Sequence, residues 1–174
     1  FTDANGSIRT NTFDGLHRQV GCQVQRGAGV VGTTVQAWEF DGRGLTTRAT
    51  DDNDPLNASD DSVVICAYDS LSRKVEEHQG LGGDDRIASS DWQSHGLRQN
   101  LVYPNGRKVG FTWDHLDRPK TVSNLAGEPK QGLLASWEYI GPGRVHSRSY
   151  QNGVRLDIDY DGDQRATGWR HTKG

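Results

Sequence analysis

From Arg148 to Tyr160 the chain reads RSYQNGVRLDIDY. Val154, Leu156, Ile158 and Tyr160 alternate there with Arg155, Asp157 and Asp159, which predicts a strand with one apolar and one polar face. Asn152-Gly153, just ahead of it, supplies the positive φ that a tight type I′ hairpin turn demands. The same device recurs at Asn105-Gly106, followed at spacing two by Val109, Phe111 and Trp113, and Asn5-Gly6 precedes Phe13 in a similar way. Val20, Cys22 and Val24 alternate, as do Val64, Cys66 and Tyr68. The expectation is an all-β chain of antiparallel hairpins, each ending on a large aromatic, with no α-helix of about ten residues or more.

A short motif recurs at the end of these strands. An aromatic, then Asp, then Arg four residues after the Asp occurs as FDGLHR (Phe13, Asp14, Arg18), YDSLSR (Tyr68, Asp69, Arg73), WDHLDR (Trp113, Asp114, Arg118) and YDGDQR (Tyr160, Asp161, Arg165). FDGRGL keeps Phe40 and Asp41 and loses the terminal Arg. Two weaker copies, Trp92 to Arg98 and Tyr139 to Arg144, fill the gaps. The seven lead aromatics then stand at positions 13, 40, 68, 92, 113, 139 and 160, a period that signals a repeat architecture.

The chemistry of the motif is local. An Asp after the aromatic can accept amide hydrogen bonds from two or three residues on and close an Asx-type turn. The Arg is placed to pair with a carboxylate or with an open carbonyl of the adjoining turn. Leu16, Leu71 and Leu116 sit mid-turn and are expected to plug under it, with Asp163 replacing the Leu in the last copy. An Asp-Arg pair that recurs several times along one chain reads as structural rather than catalytic.

FDGLHRQV, YDSLSRKV, WDHLDRPKTV and YDGDQRAT closely resemble the YD repeats of bacterial Rhs proteins, of insecticidal toxin complex shell components and of teneurin extracellular domains. The resemblance implies that the hairpins join edge to edge into part of a spiralling sheet or shell, which in the family often encloses a toxic C-terminal segment. It covers nearly the whole chain, so residues 1–174 are read as a single YD-repeat segment. Two family features have no counterpart: the core segment with its aspartyl autoprotease, and a variable toxin domain. The nearest string to a DPxG element, Asp54-Pro55-Leu56, lacks its glycine.

Composition agrees. Hydrophobic residues make up 32%, mean hydropathy is -0.80 and there are 22 glycines, which suits short strands joined by turns better than apolar helical stripes. A net charge of -3 with arginines spread along the chain argues against nucleic acid. No apolar run has the length of a membrane span. The chain starts at Phe1 and contains no methionine, which points to a segment of a larger protein.

Other constellations are judged against plainer readings. Cys22 and Cys66 read as small buried hydrophobes, or as a bridge if their strands lie on neighbouring layers. DDNDPLNASDDS gathers Asp51, Asp52, Asp54, Asp60 and Asp61, oxygens that a calcium ion would use, yet it lacks the Gly and Glu of an EF-hand loop and reads first as a solvated insertion. Asn57-Ala58-Ser59 is a formal glycosylation sequon. The six histidines show no metal-ligand spacing, and Gly80-Leu81-Gly82-Gly83 reads as a flexible loop rather than a phosphate cradle.

The functional expectation is a non-catalytic structural segment of a YD-repeat shell, secreted or at the cell surface, with no cofactor. Its expected partners are flanking repeats or further copies and an enclosed toxin. The alternative is an extracellular module that binds a glycan or a receptor. Exposure of Trp92, Trp137 and Trp169 separates the two, since flat open rings stack on sugars.

Overall fold

The computed structural model describes residues 1–81, 84–127 and 131–174. Among them are fourteen β-strands and no helix, as the alternation predicts. The chain divides into two compact units, Phe1–Ser89 and Ser90–Gly174.

In the first unit β1 (Ile8–Phe13), β2 (Gln19–Gln25), β3 (Val35–Phe40) and β4 (Thr46–Asp52) lie side by side in chain order. β5 (Ser62–Tyr68), β6 (Lys74–Leu81) and β7 (Asp84–Trp92) continue the row, each strand antiparallel to the next. The second unit repeats the arrangement with β8 (Arg98–Val102), β9 (Lys108–Trp113), β10 (Pro119–Ala126) and β11 (Gly132–Ile140). β12 (Arg144–Tyr150), β13 (Val154–Tyr160) and β14 (Ala166–Lys173) complete it.

Directly opposed residues share a face. Trp38 pairs with Ala49 and Ala49 with Val64, so Phe40, Cys66 and Tyr68 join them on one apolar face by alternation. Glu39, Arg48, Ile65 and His78 pair successively on the other. In the second unit Phe111, Val122 and Ala135 form one such row and Trp137, Arg148 and Leu156 another. A single layer buries little, and among the described residues only the hydrophobic side chains of Cys22 and Val109 fall to 5% exposure or less. The aromatics that lead the interior repeats, from Phe40 to Tyr160, are half-buried.

Both expected Asn-Gly turns are present, but neither is type I′. Gly106 N–H donates to Tyr103 C=O (2.9 Å) and Tyr103 N–H to Arg107 C=O (2.8 Å), and of the Asn-Gly pair Gly106 alone is left-handed (φ 79). This is a type I turn followed by one left-handed bulge residue. Pro104 fixes its own φ near the type I value, and the Asn105 Oδ1 accepts from Arg107 N–H (3.1 Å), so a single residue carries the positive φ. Asn152 and Gly153 (φ 80) repeat this: Gly153 N–H donates to Tyr150 C=O and Val154 N–H to Asn152 Oδ1.

The hairpins from β1–β2, β3–β4, β5–β6, β11–β12 and β13–β14 also contain a bulge that the sequence does not announce. Thr12 faces Gly21 while Phe13 faces Gln19, which leaves Val20 unopposed. The same slip at Phe40, Tyr68, Tyr139 and Tyr160 leaves out Thr47, Val75, His146 and Thr167, two residues past the turn every time. Bulges at a fixed place bend these hairpins alike and add right-handed twist. Gly80 and Leu81 belong to β6, opposite Asp85 and Asp84, rather than to a loop; Gly82 and Gly83 lie outside the described residues.

Candidate functional site

The recurring feature with defined chemistry is the turn motif. In the first copy Asp14 N–H donates to Arg18 C=O (2.9 Å) and His17 N–H to Asp14 C=O (3.0 Å). The Asp14 Oδ1 accepts from the amides of Leu16 (2.8 Å) and Arg18 (3.0 Å), while Oδ2 takes Arg18 Nε (2.7 Å). Asp69, Asp114 and Asp161 reproduce these side-chain bonds with Leu71 and Arg73, Leu116 and Arg118, and Asp163 and Arg165. The equivalence read from sequence is therefore atomic.

One carboxylate that accepts several donors is stabilised in its charged form. Asp114 is held at about 2, first by the Arg118 side chain and then by the backbone amides of Arg118 and Leu116. Asp14, Asp69 and Asp161 are also lowered, with the backbone amide of the motif arginine as the leading cause. In Asp41 the leading donor is Leu45 N–H.

The arginine connects one hairpin to the next. Arg118 Nη1 donates to Gly141 C=O (2.6 Å) in the following turn, and its guanidinium lies 4.1 Å from the ring centre of Tyr139. Arg18 reaches Asp41 C=O (3.4 Å) and stacks 4.7 Å over Phe40. Arg144 lies 5.6 Å over Tyr160. The aromatics reach back: Tyr68 Oη donates to Thr46 C=O, Tyr139 Oη to Pro119 C=O, Tyr160 Oη to Val145 C=O and Trp113 Nε1 to Arg98 C=O, all between 2.7 and 3.0 Å. A desolvated side of each ring and a hydrogen-bonding tip explain why Tyr and Trp lead most repeats.

Several members escaped the sequence reading. The Phe40 copy lacks the terminal Arg, yet Arg43, two residues after Asp41, pairs with Asp41 (2.9 Å) and donates to Asp69 C=O (2.7 Å) in the next turn. Asp3 and Tyr103 occupy the Asp place in turns of the same backbone form, closed by Gly6 and Gly106, as Gln93 does with Gly96 in the weaker copy read at Trp92. The signal was a glycine three residues on, the same place held left-handed by His17, Ser72, Asp117 and Gln164.

Leu16, Leu71 and Leu116 do not plug the turns: they are 73%, 62% and 50% exposed. The aspartate hydrogen bonds close these loops without help from the leucine side chains. Cys22 and Cys66 are free thiols. They lie on β2 and β5 of one layer with two strands between them, a separation of roughly 14 Å at about 4.8 Å per strand, too far for a bridge.

The aspartate-rich stretch does not converge on a metal. Asp51, Asp52, Asp54, Asp60 and Asp61 are distributed over the end of β4, a loop and the start of β5, and no metal-holding group of three acidic, His or Cys side chains forms among the described residues. Asp51 Oδ2 instead accepts from Gln36 Nε2 (2.8 Å) and Thr33 Oγ1 (3.2 Å), and Asp54 Oδ1 from Leu56 N–H. Asn57 of the sequon is exposed and bonds Ser59 Oγ (2.6 Å). The tryptophans divide: Trp92 lies beneath Arg98 (4.9 Å) and Trp137 beneath Arg148 (5.5 Å), both half-buried, while Trp169 is 64% exposed.

Comparison with known proteins bears on the fold. Neither protein-family models nor curated proteins match the chain. Solved structures do. The crystal structure of TcdB2-TccC3-TEV superposes with a TM-score of 0.77 at 12% identity over 99% of this chain, and that of TcdB2-TccC3 without its hypervariable C-terminal region with 0.78 at 13% over 98%. The Photorhabdus luminescens Tc holotoxin pore gives 0.76 at 14% over 99%. The chain spans 9% of the length of each of those chains. The fold is thus a YD-repeat-like antiparallel sheet shared with Tc toxin chains.

Proposed function

We propose that the chain is a non-catalytic wall segment of a YD-repeat shell that encloses a toxin or effector. The observation that carries this reading is the arginine link, in which a side chain from one turn holds the carbonyl and the aromatic ring of the next. Such a link builds an extended sheet from identical joints and prepares no reactive group: every motif carboxylate is consumed by its own turn. The Tc toxin chains with the same fold support the shell reading, and secretion or display at the cell surface follows from it. Cover over Trp92 and Trp137 speaks against a sugar-stacking module, which needs open rings.

A wall segment pairs its outer strands with further repeats, of its own polypeptide or of another copy. Phe13 (57% exposed) and Trp169 (64%) stand open where the lead aromatics of the interior repeats are half-buried. Phe1 does bond Arg9 across the head of β1 (3.1 Å), so association should run mainly through β14. Light scattering of the purified 174-residue chain over a concentration series tests the reading. Mass that grows with concentration is expected; a monomer at every concentration would refute the wall assignment.

A further inference from the structure

Three Asn-Gly steps sit in exposed turns of one backbone form, yet their asparagine side chains are held differently. Asn105 Oδ1 accepts from Arg107 N–H (3.1 Å), and Asn152 Oδ1 from Val154 N–H (3.1 Å). In the third turn the equivalent amide, that of Ser7, is taken by Asp3 Oδ1 (2.9 Å), which also accepts from Asn5 N–H (2.9 Å). Tyr103 and Tyr150 stand where Asp3 does and bring no carboxylate to compete. The Asn5 carboxamide is exposed and makes no hydrogen bond among the described residues.

Asn5 also closes a small hairpin. Asp3 N–H donates to Ser7 C=O (2.9 Å) and Arg9 N–H to Phe1 C=O (2.8 Å), so residues 1–3 cover the outer edge of β1. The turn is seated on the loop after β2. Gly27 N–H donates to the Oγ of the buried Ser7 (3.1 Å), and the Asn5 backbone carbonyl fills the space where a side chain on Gly27 would lie.

We propose that Asn5 is a site of spontaneous covalent modification, deamidation with isomerisation of the backbone, and that this modification opens the hairpin. The Gly6 nitrogen attacks Asn5 Cγ. The bond from Cγ to the side-chain nitrogen breaks, and ammonia leaves with the proton that Gly6 N–H gives up. Water then opens the five-membered succinimide at one or the other carbonyl, to aspartate or to isoaspartate. Water is the sole co-reactant. All three glycines lack a side chain that would obstruct the attack, and their amides are held alike, to Asp3 C=O (3.1 Å), Tyr103 C=O (2.9 Å) and Tyr150 C=O (3.0 Å). The carboxamide makes the difference, because a held Oδ1 must give up its bond before Cγ can turn towards the glycine nitrogen. Isoaspartate adds a methylene to the chain and converts the Asn5 carbonyl into a free carboxylate. The tight seat against Gly27 has no room for that group, so β1 loses the cover of residues 1–3. The site stands on the turn geometry and does not depend on the shell reading.

The test is peptide mapping of the whole chain after storage in mildly alkaline buffer. Trypsin places the three steps on separate peptides, residues 1–9, 99–107 and 149–155, and mass with retention time reads aspartate and isoaspartate in each. The peptide of residues 1–9 should convert at least about fivefold faster than the other two, the worth of one ordinary hydrogen bond in an activation barrier. In urea, where the turns are gone, all three should convert at similar rates. Tyr103→Asp copies the Asp3 arrangement and takes the Arg107 amide from Asn105, so residues 99–107 should then convert as fast as residues 1–9. Hydrogen exchange at the Asp3 and Arg9 amides should quicken in the stored chain and stay slow in Asn5→Gln stored alike. Native rates that match the urea rates, or a Tyr103→Asp chain that converts as wild type does, would overturn the assignment of the site. Unchanged exchange in the converted chain would overturn the opening of the hairpin.

Discussion

The left-handed residue of each turn gives the sharpest test of the turn geometry, and Gly106→Ala is the cleanest perturbation of it. Gly106 has φ 79, and a methyl group added there meets no heavy atom within 4 Å, so any effect comes from the backbone alone. Holding an L-residue in this region costs about 1–2 kcal/mol. Part of that, about 0.5–1 kcal/mol, is returned because alanine is less free than glycine in the unfolded chain. The net loss should be about 1 kcal/mol, or about 2–4 °C in Tm for a chain of this size. His17 offers the reverse experiment, since it sits at the same place with φ 60 and is exposed. His17→Gly should therefore stabilise by a similar or smaller amount. Urea unfolding followed by tryptophan fluorescence, with equal slopes for all variants, measures both changes. The reasoning fails if Gly106→Ala leaves the midpoint where it was, or if both substitutions move it the same way.

Asp69→Ala removes the acceptor of two backbone amides and of Arg73 Nε, and should lower the urea midpoint, whereas Asp163→Ala, whose carboxylate touches only the exposed Arg165, should not. The motif aspartates have folded-state pKa values below the ordinary 3.8, so their stabilisation is complete above that value and is lost as pH falls through the folded pKa, about 2 for Asp114. Unfolding midpoints should accordingly drop between about pH 4 and pH 2. His78 has the opposite sign, because Glu76 and then Asp85 raise it: its contribution is full below 6.5 and is lost as pH rises through the higher folded value, which NMR titration of the ring will follow. Thiol titration of the native chain should find Cys66 reactive and Cys22 protected, with both reactive in urea and no disulfide on a non-reducing gel.

Much of the fold was legible because its signals are local. Alternation places Val154, Leu156, Ile158 and Tyr160 on one face whatever the rest of the chain does. An aspartate two residues before a turn amide has an economical partner, so the bond from Leu16 N–H to Asp14 was legible, whereas the second amide is that of Arg18, four residues on rather than three. Signals that depend on neighbouring hairpins were not legible. Nothing in FDGRGL shows that Arg43 will serve as the linking arginine, because its partner, the Asp69 carbonyl, lies a full repeat away. The leucines misled for the opposite reason: Leu16 looks like a core residue in isolation, yet its turn is closed by the aspartate hydrogen bonds and its side chain stands in solvent. Cross-strand register, which separates Cys22 from Cys66 and places Asp61 beside Val63 and His78, is likewise a property of the assembled sheet.

A sheet of one layer must obtain its stability sideways. In a two-layer domain, burial between the layers dominates and each strand needs one apolar face. Here two hydrophobic side chains, Cys22 and Val109, are buried among the described residues, and the rest of the apolar surface has only adjacent hairpins for cover. Stability then approximates a sum of hairpin terms and nearest-neighbour terms. The arginine link is the neighbour term with a visible structure: a charge-assisted bond to its own Asp, a bond to the next carbonyl, and a cation–π contact of about 0.5–1 kcal/mol with the next ring. Arg118, enclosed between two hairpins, keeps 17% of its side chain exposed, whereas Arg165, on the last hairpin of the chain, keeps 74%. The same motif residue therefore carries two different weights. Removing Arg118 breaks a turn and a joint together, while removing Arg165 breaks a turn alone, and the difference between them isolates the joint that ties one hairpin to the next.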